Sequence, residues 1–289
     1  YSQLEKHAEK MITRATFPAA SLFKIITAAA AVEQAGLSSN TKINFRGGNY
    51  TLNKSNYIPD KKRDKRTMSL SEALGRSINP AFGRVSVLNL TPYLLQRYAK
   101  LFGFDSNVSF EFPVEQSTFT VPDSQFETAR TGAGFGDVFL SPLHAALITA
   151  AIANGGKMMR PYIVDQSIDS QGKVKYTSNP SLLRSTVLRS TAAELIEMMK
   201  KTVTDGTARK HFHRKKHNIL DSISIAAKTG TLSGTNPKGR YHWFVATAPT
   251  QNPEIAIASL VIDPGTARIN GTGVGRIFLE YYFSQKKHD

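Results

Sequence analysis

The sequence predicts an α+β fold: an antiparallel sheet flanked by helices, with an all-helical subdomain inserted between two parts of the sheet region. Two observations carry this. Helical spacing and alanine-rich runs dominate the chain up to about residue 203, and three strand-like runs at 223–231, 243–248 and 255–262 then crowd the last third. A closing amphipathic segment at about 273–284 would cover one face of the sheet these strands form. The α/β part is expected at about 1–40 and 190–289, and the mainly helical part at about 41–189.

In chain order, the first helix is expected over 17–35, with Thr16 as N-cap, Pro18 in the first turn and Gly36 as its stop. Its apolar residues run almost all the way round, the pattern of a helix buried inside a domain. Ser21, Lys24 and Thr27 are its few polar groups. The stretch 40–66, with Gly47-Gly48 and Pro59, reads as loop or irregular hairpin. Ser69 with Glu72 forms a capping-box pattern opening a helix that stops near 75–80. Further helices are expected at 92–102, from Ser141-Pro142 to Asn154, and at 190–203, with a proline-interrupted polar region at 112–125. Turn-like separators at 236–239 and 249–253 make consecutive antiparallel pairing of the strands the natural outcome.

The 289 residues are 40% hydrophobic and 20% charged, ordinary values for a chain with a sizeable core. There is no cysteine, which excludes disulfides, thiolate metal sites and a cysteine nucleophile. No run is long and apolar enough for a membrane span; the longest, 25–32, is far too short. The chain opens at Tyr1, so the lack of a targeting signal carries no weight. A net charge of +15, concentrated in the runs 61–66 and 209–217, is compatible with a weak polyanion contact through exposed loops. No nucleic-acid motif accompanies it, so specific nucleic-acid binding is not expected.

The chemistry begins at Ser21-Leu22-Phe23-Lys24. A hydroxyl and an amine three positions apart on a helix project from one face and can exchange a proton directly. Serine is a poor nucleophile unless a neighbour takes its proton, and a lysine can do so only when burial or another cation leaves it neutral. The apolar surroundings of Lys24 suit that demand. By itself the pair is common. It is followed, however, by Ser77-Ile78-Asn79 and by Lys228-Thr229-Gly230-Thr231 on an expected strand.

In this order the three motifs resemble those of the penicillin-binding protein transpeptidases, within the serine D,D-peptidase and β-lactamase superfamily. The resemblance spans nearly the whole chain, and the runs at 132–156, 206–208 and 243–245 fall in the family's order too. It implies Ser21 as nucleophile and Lys24 as its base. Ser77 is implied as a proton relay between Lys24 or Lys228 and the leaving amine, with Lys228 supplying positive charge beside it. Asn79 would hold a substrate amide, Thr229 and Thr231 the terminal carboxylate of a peptide stem or a penicillin, and Gly230 would let the strand approach the ligand. The backbone amides of Ser21 and Thr231 would form the oxyanion hole. Ala20 stands where many members carry glycine, Ile78 replaces an aspartate common in β-lactamases, and Leu232 follows the strand motif where a small residue is frequent. Only 20 residues precede Ser21, whereas the family draws outer strands of its sheet from upstream, so the resemblance implies an N-terminally truncated catalytic domain.

Members of the superfamily differ in what removes the acyl group. No Glu-x-x-Leu-Asn segment occurs between Asn79 and Lys228, which argues against a class A β-lactamase. The 151-residue gap from Ser77 to Lys228 is closer to that of the high-mass transpeptidases. The expected reaction is therefore transpeptidation of D-Ala-D-Ala peptidoglycan stems, with acylation by β-lactam antibiotics. A D,D-carboxypeptidase and a non-turnover β-lactam sensor or scaffolding homologue are the alternatives. The family implies an extracytoplasmic, membrane-anchored setting. No cofactor is expected. A nucleotide loop at 132–136 lacks the preceding strand and following acid, and a metal site at His211, His213 and His217 would sit among repelling cations.

Overall fold

The computed structural model describes residues 8–213 and 218–286. Helix α1 (Ala8–Thr13) leads to a two-residue strand β1 (Phe17–Pro18), a 3-10 turn (Ala20–Leu22) and helix α2 (Phe23–Ala35), which Gly36 ends in a left-handed conformation at φ 63°. The single helix expected over 17–35 is thus divided, and Thr16 does not cap it. Its hydroxyl is buried without a partner among the described residues. Tertiary pairing overrides the local signal: Ala19 N–H donates to the Val138 carbonyl at 2.8 Å, and Trp243 Nε1 to the Pro18 carbonyl at 2.9 Å. Phe17 fills the space between them, fully buried against Tyr241 and Trp243.

Strands β2 (Lys42–Phe45) and β3 (Arg66–Ser69) pair as an antiparallel ribbon. Helix α3 (Leu70–Gly75) follows with the Ser69–Glu72 capping box formed in both directions. Helix α4 (Asn79–Asn89) was not signalled by the sequence, because Arg84 and Ser86 interrupt its apolar pattern. Both are buried, Arg84 against Asp64 and Ser86 donating to the Phe82 carbonyl. Helix α5 (Pro92–Leu101), strand β4 (Thr118–Phe119), helix α6 (Gln125–Gly132), strand β5 (Val138–Leu140) and helix α7 (Pro142–Ala153) come next, with β5 lying between β1 and β4. The inserted subdomain, expected as all-helical and its span 41–189 as mainly helical, also carries ribbons: β6 (Lys157–Met159) pairs with β9 (Leu182–Ser185), and β7 (Gln166–Ile168) with β8 (Val174–Thr177). β7 and β8 are exposed on both faces and leave no in-out alternation to read in the sequence.

After helices α8 (Arg189–Thr204) and α9 (Arg209–Phe212), a short 3-10 turn leads into the main sheet. Its strands β10 (Ala226–Thr235), β11 (Lys238–Ala248) and β12 (Ile255–Asp263) are antiparallel in sequence order, and helix α10 (Gly271–Gln285) closes the chain. The central strand β11 is buried on both sides, with a period of two. Tyr241, Trp243 and Val245 join the large core around α2, while Phe244, Ala246 and Ala248 join a second core with Leu279 and Phe283 of α10. This places β10 at a sheet edge facing the start of α2. No helix among the described residues is long and apolar enough to cross a membrane.

Candidate active site

Ser21 lies in the 3-10 turn and Lys24 at the start of α2. Two features set the shape of this turn. Ala20 has φ 49°, a left-handed conformation that is strained for a residue with a Cβ. Gly134, at φ 90°, backs onto it so closely that a Cβ there would lie 2.3 Å from the Ala20 carbonyl oxygen. Lys24 Nζ is 2.8 Å from Ser21 Oγ and 2.8 Å from Asn79 Oδ1, and it also donates to the Ala133 carbonyl. The side chain is 0% exposed. Burial, and secondarily the neighbouring Lys228 cation, hold its amine well below the usual lysine pKa.

Ser77 sits in the turn between α3 and α4 with φ 55°, and its Oγ accepts from Lys228 Nζ at 3.1 Å. Lys228, on β10, is fully buried and donates also to the Thr229 carbonyl; burial pushes its pKa down to about 7. Asn79 opens α4, where its Nδ2 donates to the Tyr50 carbonyl at 2.8 Å. One end of its amide thus faces Lys24 and the other is fixed by the 46–66 loop. Thr229 Oγ1 lies 2.5 Å from Thr207 Oγ1, and Thr231 pairs across the strands with His242, Oγ1 to Nδ1 at 3.5 Å. At Gly230 a Cβ would come within 3.4 Å of Ala20 Cβ and 3.5 Å of the Ala19 carbonyl, so the strand edge runs close against the Ser21 turn.

These side chains border one cleft of about 460 Å³. Ser21, Ser77, Asn79, Thr229 and Thr231 line it directly, while Lys24, Lys228 and Gly230 lie behind its wall. The arrangement sets the Ser21 hydroxyl beside an amine of lowered pKa, with the Lys228 amine and the Ser77 hydroxyl paired at the same cleft. It can take a proton from an attacking serine and return one to a leaving group.

Sequence reasoning did not single out Tyr50, Arg240, His242, Asn270 or Thr272, which also line the cleft, and it met Phe135 only within the 132–136 run. Each comes from a loop, a hairpin register or a helix start whose convergence has no sequence signal. Thr207 had appeared only as part of a run in the expected order. Of the three histidines weighed as metal ligands, His211 lines the cleft, His213 is exposed and His217 lies outside the described residues. Gly134, weighed as part of a nucleotide loop, instead supports the Ser21 turn.

Comparison with known proteins gives a consistent result. A family model described as the penicillin binding protein transpeptidase domain matches residues 3–281. The peptidoglycan D,D-transpeptidase PbpA of Mycobacterium tuberculosis is 34% identical over 281 residues, covering 92% of this chain and 55% of the relative. PbpA of Mycolicibacterium smegmatis is 32% identical, covering 89% and 52%. The chain spans about half the length of these curated relatives. Among solved structures, a ceftriaxone acyl-enzyme complex of penicillin-binding protein A from M. tuberculosis superposes with a TM-score of 0.77 at 28% identity, covering 96% of this chain and 65% of the other.

Proposed function

The chain belongs to the penicillin-binding protein transpeptidase family, and from that premise we propose that it is the catalytic domain of a serine D,D-transpeptidase that cross-links peptidoglycan stem peptides through an acyl-enzyme on Ser21. The observation that carries this reading is the buried Lys24 amine, pKa lowered, 2.8 Å from Ser21 Oγ. Ser21 Oγ attacks the carbonyl carbon between the two terminal D-alanines while its proton passes to Lys24. The backbone amides of Ser21 and Thr231 hold the oxyanion. As the carbon–nitrogen bond breaks, the departing D-alanine amine receives a proton through Ser77, whose hydroxyl is 3.1 Å from Lys228 Nζ. An amine from a neighbouring stem then attacks the ester and releases Ser21.

In this reading Asn79 orients the substrate amide, Thr229 and Thr231 bind the terminal carboxylate, and Gly230 allows the strand its close approach. β-Lactams, which present a similar carboxylate and a strained amide, acylate the same serine; the imipenem and ceftriaxone acyl-enzyme complexes of the M. tuberculosis relative support this. The reaction belongs on the outer face of the cytoplasmic membrane, and the basic 61–66 loop offers a weak, salt-sensitive contact to anionic wall polymer.

The test is the intact mass of the protein after incubation with benzylpenicillin, beside Ser21→Ala. A stable adduct on the parent and none on the variant is expected. Absence of an adduct on the parent, with the antibiotic left intact, sinks the assignment. Absence with the antibiotic hydrolysed makes the chain a β-lactamase.

A further inference from the structure

The cleft does not stop at Thr231. It continues across the β10–β11 hairpin to the first turn of α10, and this end is built from Thr231, Arg240, His242, Asn270 and Thr272. The register explains the grouping. Thr231 is opposite His242 and Ser233 opposite Arg240, so these side chains stand on one face of the two strands. Gly271, at the start of α10, packs directly over the His242 carbonyl and brings the helix N-terminus onto that face.

Thr272 is the unusual member. The residue is only 7% exposed, it lines the cleft, and its hydroxyl makes no hydrogen bond among the described residues. That hydroxyl opens into the cleft, where it can donate to an acceptor bound there. It sits in the first turn of a 15-residue helix, where the aligned peptide dipoles favour negative charge, with Asn270 capping through Gly273 N–H. Arg240 adds a full positive charge. Among the described residues, no carboxylate lines the cleft. Asp263, opposite Arg240 on β12, spends one carboxylate oxygen on the N–H groups of Gly265, Thr266 and Ala267. It lies near enough to act on His242, whose pKa is nevertheless lowered by burial and by Arg240. Arg240 therefore carries the positive charge of this end, and His242 serves as a hydrogen-bonding neighbour.

We propose that Thr272, the α10 N-terminus, Arg240 and His242 form a second anion subsite, which binds a further free carboxylate on the acyl-donor peptide, separate from the terminal carboxylate at Thr229 and Thr231. The inference rests on the D,D-peptidase reading of the cleft and adds a substrate class to it: stem peptides with two carboxylates are bound in preference to those whose second carboxyl is amidated.

The experiment uses two synthetic peptides ending in D-Ala-D-Ala, identical except that a side-chain carboxyl in one is a carboxamide in the other. Each is used to slow Ser21 acylation by benzylpenicillin, followed by intact mass and normalised to the uninhibited rate of the same protein. The free acid should act at about tenfold lower concentration than the amide, the equivalent of one charge-assisted hydrogen bond of modest strength. In Thr272→Val and in Arg240→Gln the ratio should fall towards one, while thermal denaturation checks that both variants fold. Equal potency on the parent overturns the subsite, and would mean that the cationic rim serves only the terminal carboxylate. A ratio preserved in both variants overturns the residue assignment. Failure of benzylpenicillin to acylate the parent at all is a different result: it removes the D,D-peptidase reading, and the subsite falls with it.

Discussion

Replacing Lys228 with methionine tests the central electrostatic feature of the site through stability alone. The unfolded chain holds the Lys228 proton up to about pH 10.5, whereas in the fold burial pushes that pKa down to about 7. Between those values the unfolded state binds more protons than the native state, so stability rises with pH. Below about pH 7 this group contributes no slope. Each such lysine adds about 1.4 kcal/mol per pH unit inside the window. Lys24, lowered in the same direction, adds to the parent's slope. Urea denaturation of the parent between pH 7.5 and 9.5 should therefore show rising stability. Lys228→Met should rise by about 3 kcal/mol less over the same interval. Leaving the Ser77 hydroxyl without its amine shifts the whole curve and not its slope, so the comparison is insensitive to that loss. Coincident slopes in parent and variant would refute the claim that Lys228 titrates near neutrality.

Lys24→Met should slow acylation by benzylpenicillin by about 100-fold or more, the usual worth of a positioned base, while stability does not fall, as followed by intact mass and thermal denaturation. On the parent, the acylation rate should fall as pH drops through the lowered Lys24 pKa, because a protonated amine cannot accept the Ser21 proton. In Lys228→Met that limb should move to higher pH, since the cation that helps to lower Lys24 is gone; a limb that stays in place counts against the coupling. Gly134→Ala places a Cβ 2.3 Å from the Ala20 carbonyl at φ 90°, and should cost at least about 2 kcal/mol in denaturation or displace the Ser21 turn and lose acylation. Normal stability with normal acylation would show the turn to be more tolerant than its geometry suggests. Asp64→Asn leaves the buried Arg84 guanidinium without its carboxylate and should cost about 3 kcal/mol or more. In the parent, the arginines hold the Asp64 carboxyl below its usual range, so its contribution is present above about pH 4 and lost as pH falls further.

What could be read from the sequence was whatever is local. The Ser21–Lys24 spacing, the Ser69–Glu72 cap, the Gly36 stop and the three strands of the main sheet each depend on neighbours within a few positions. The beginning of α2 could not be read, because residues 17–19 are held by Val138 and Trp243, both more than a hundred positions away. Helix α4 was hidden by Arg84, whose burial makes sense only with Asp64 and the carbonyls of Asn44, Asn56 and Ile58 around it. That cluster also ties down the loop whose Asn49 and Tyr50 carbonyls bond Asn79. The rim made by Arg240, His242 and Thr272 needs a strand register and a helix start to meet, and no spacing encodes that.

In the proposed mechanism the two lysines divide between them work that in many sites falls to a histidine and a carboxylate. Neither is paired with an anion among the described residues, and the forces that shift each pKa are burial and, for Lys24, the other lysine. A carboxylate beside Lys24 would keep it protonated and useless as a base, so the lack of acids in the cleft wall is itself a requirement of the chemistry. It has a second consequence. With no carboxylate among the described residues lining the cleft beside Lys228 and Arg240, the proposed anionic acyl donor would be drawn towards them. Once bound, the donor's carboxylate is the first anion the lysines meet. In the proposed binding mode it would lie by Thr229 and Thr231, on the same strand as Lys228. The ligand itself would then favour the charged form of Lys228 while Lys24 stays neutral, and the proton needed for the leaving amine would be stored on the correct side of the site.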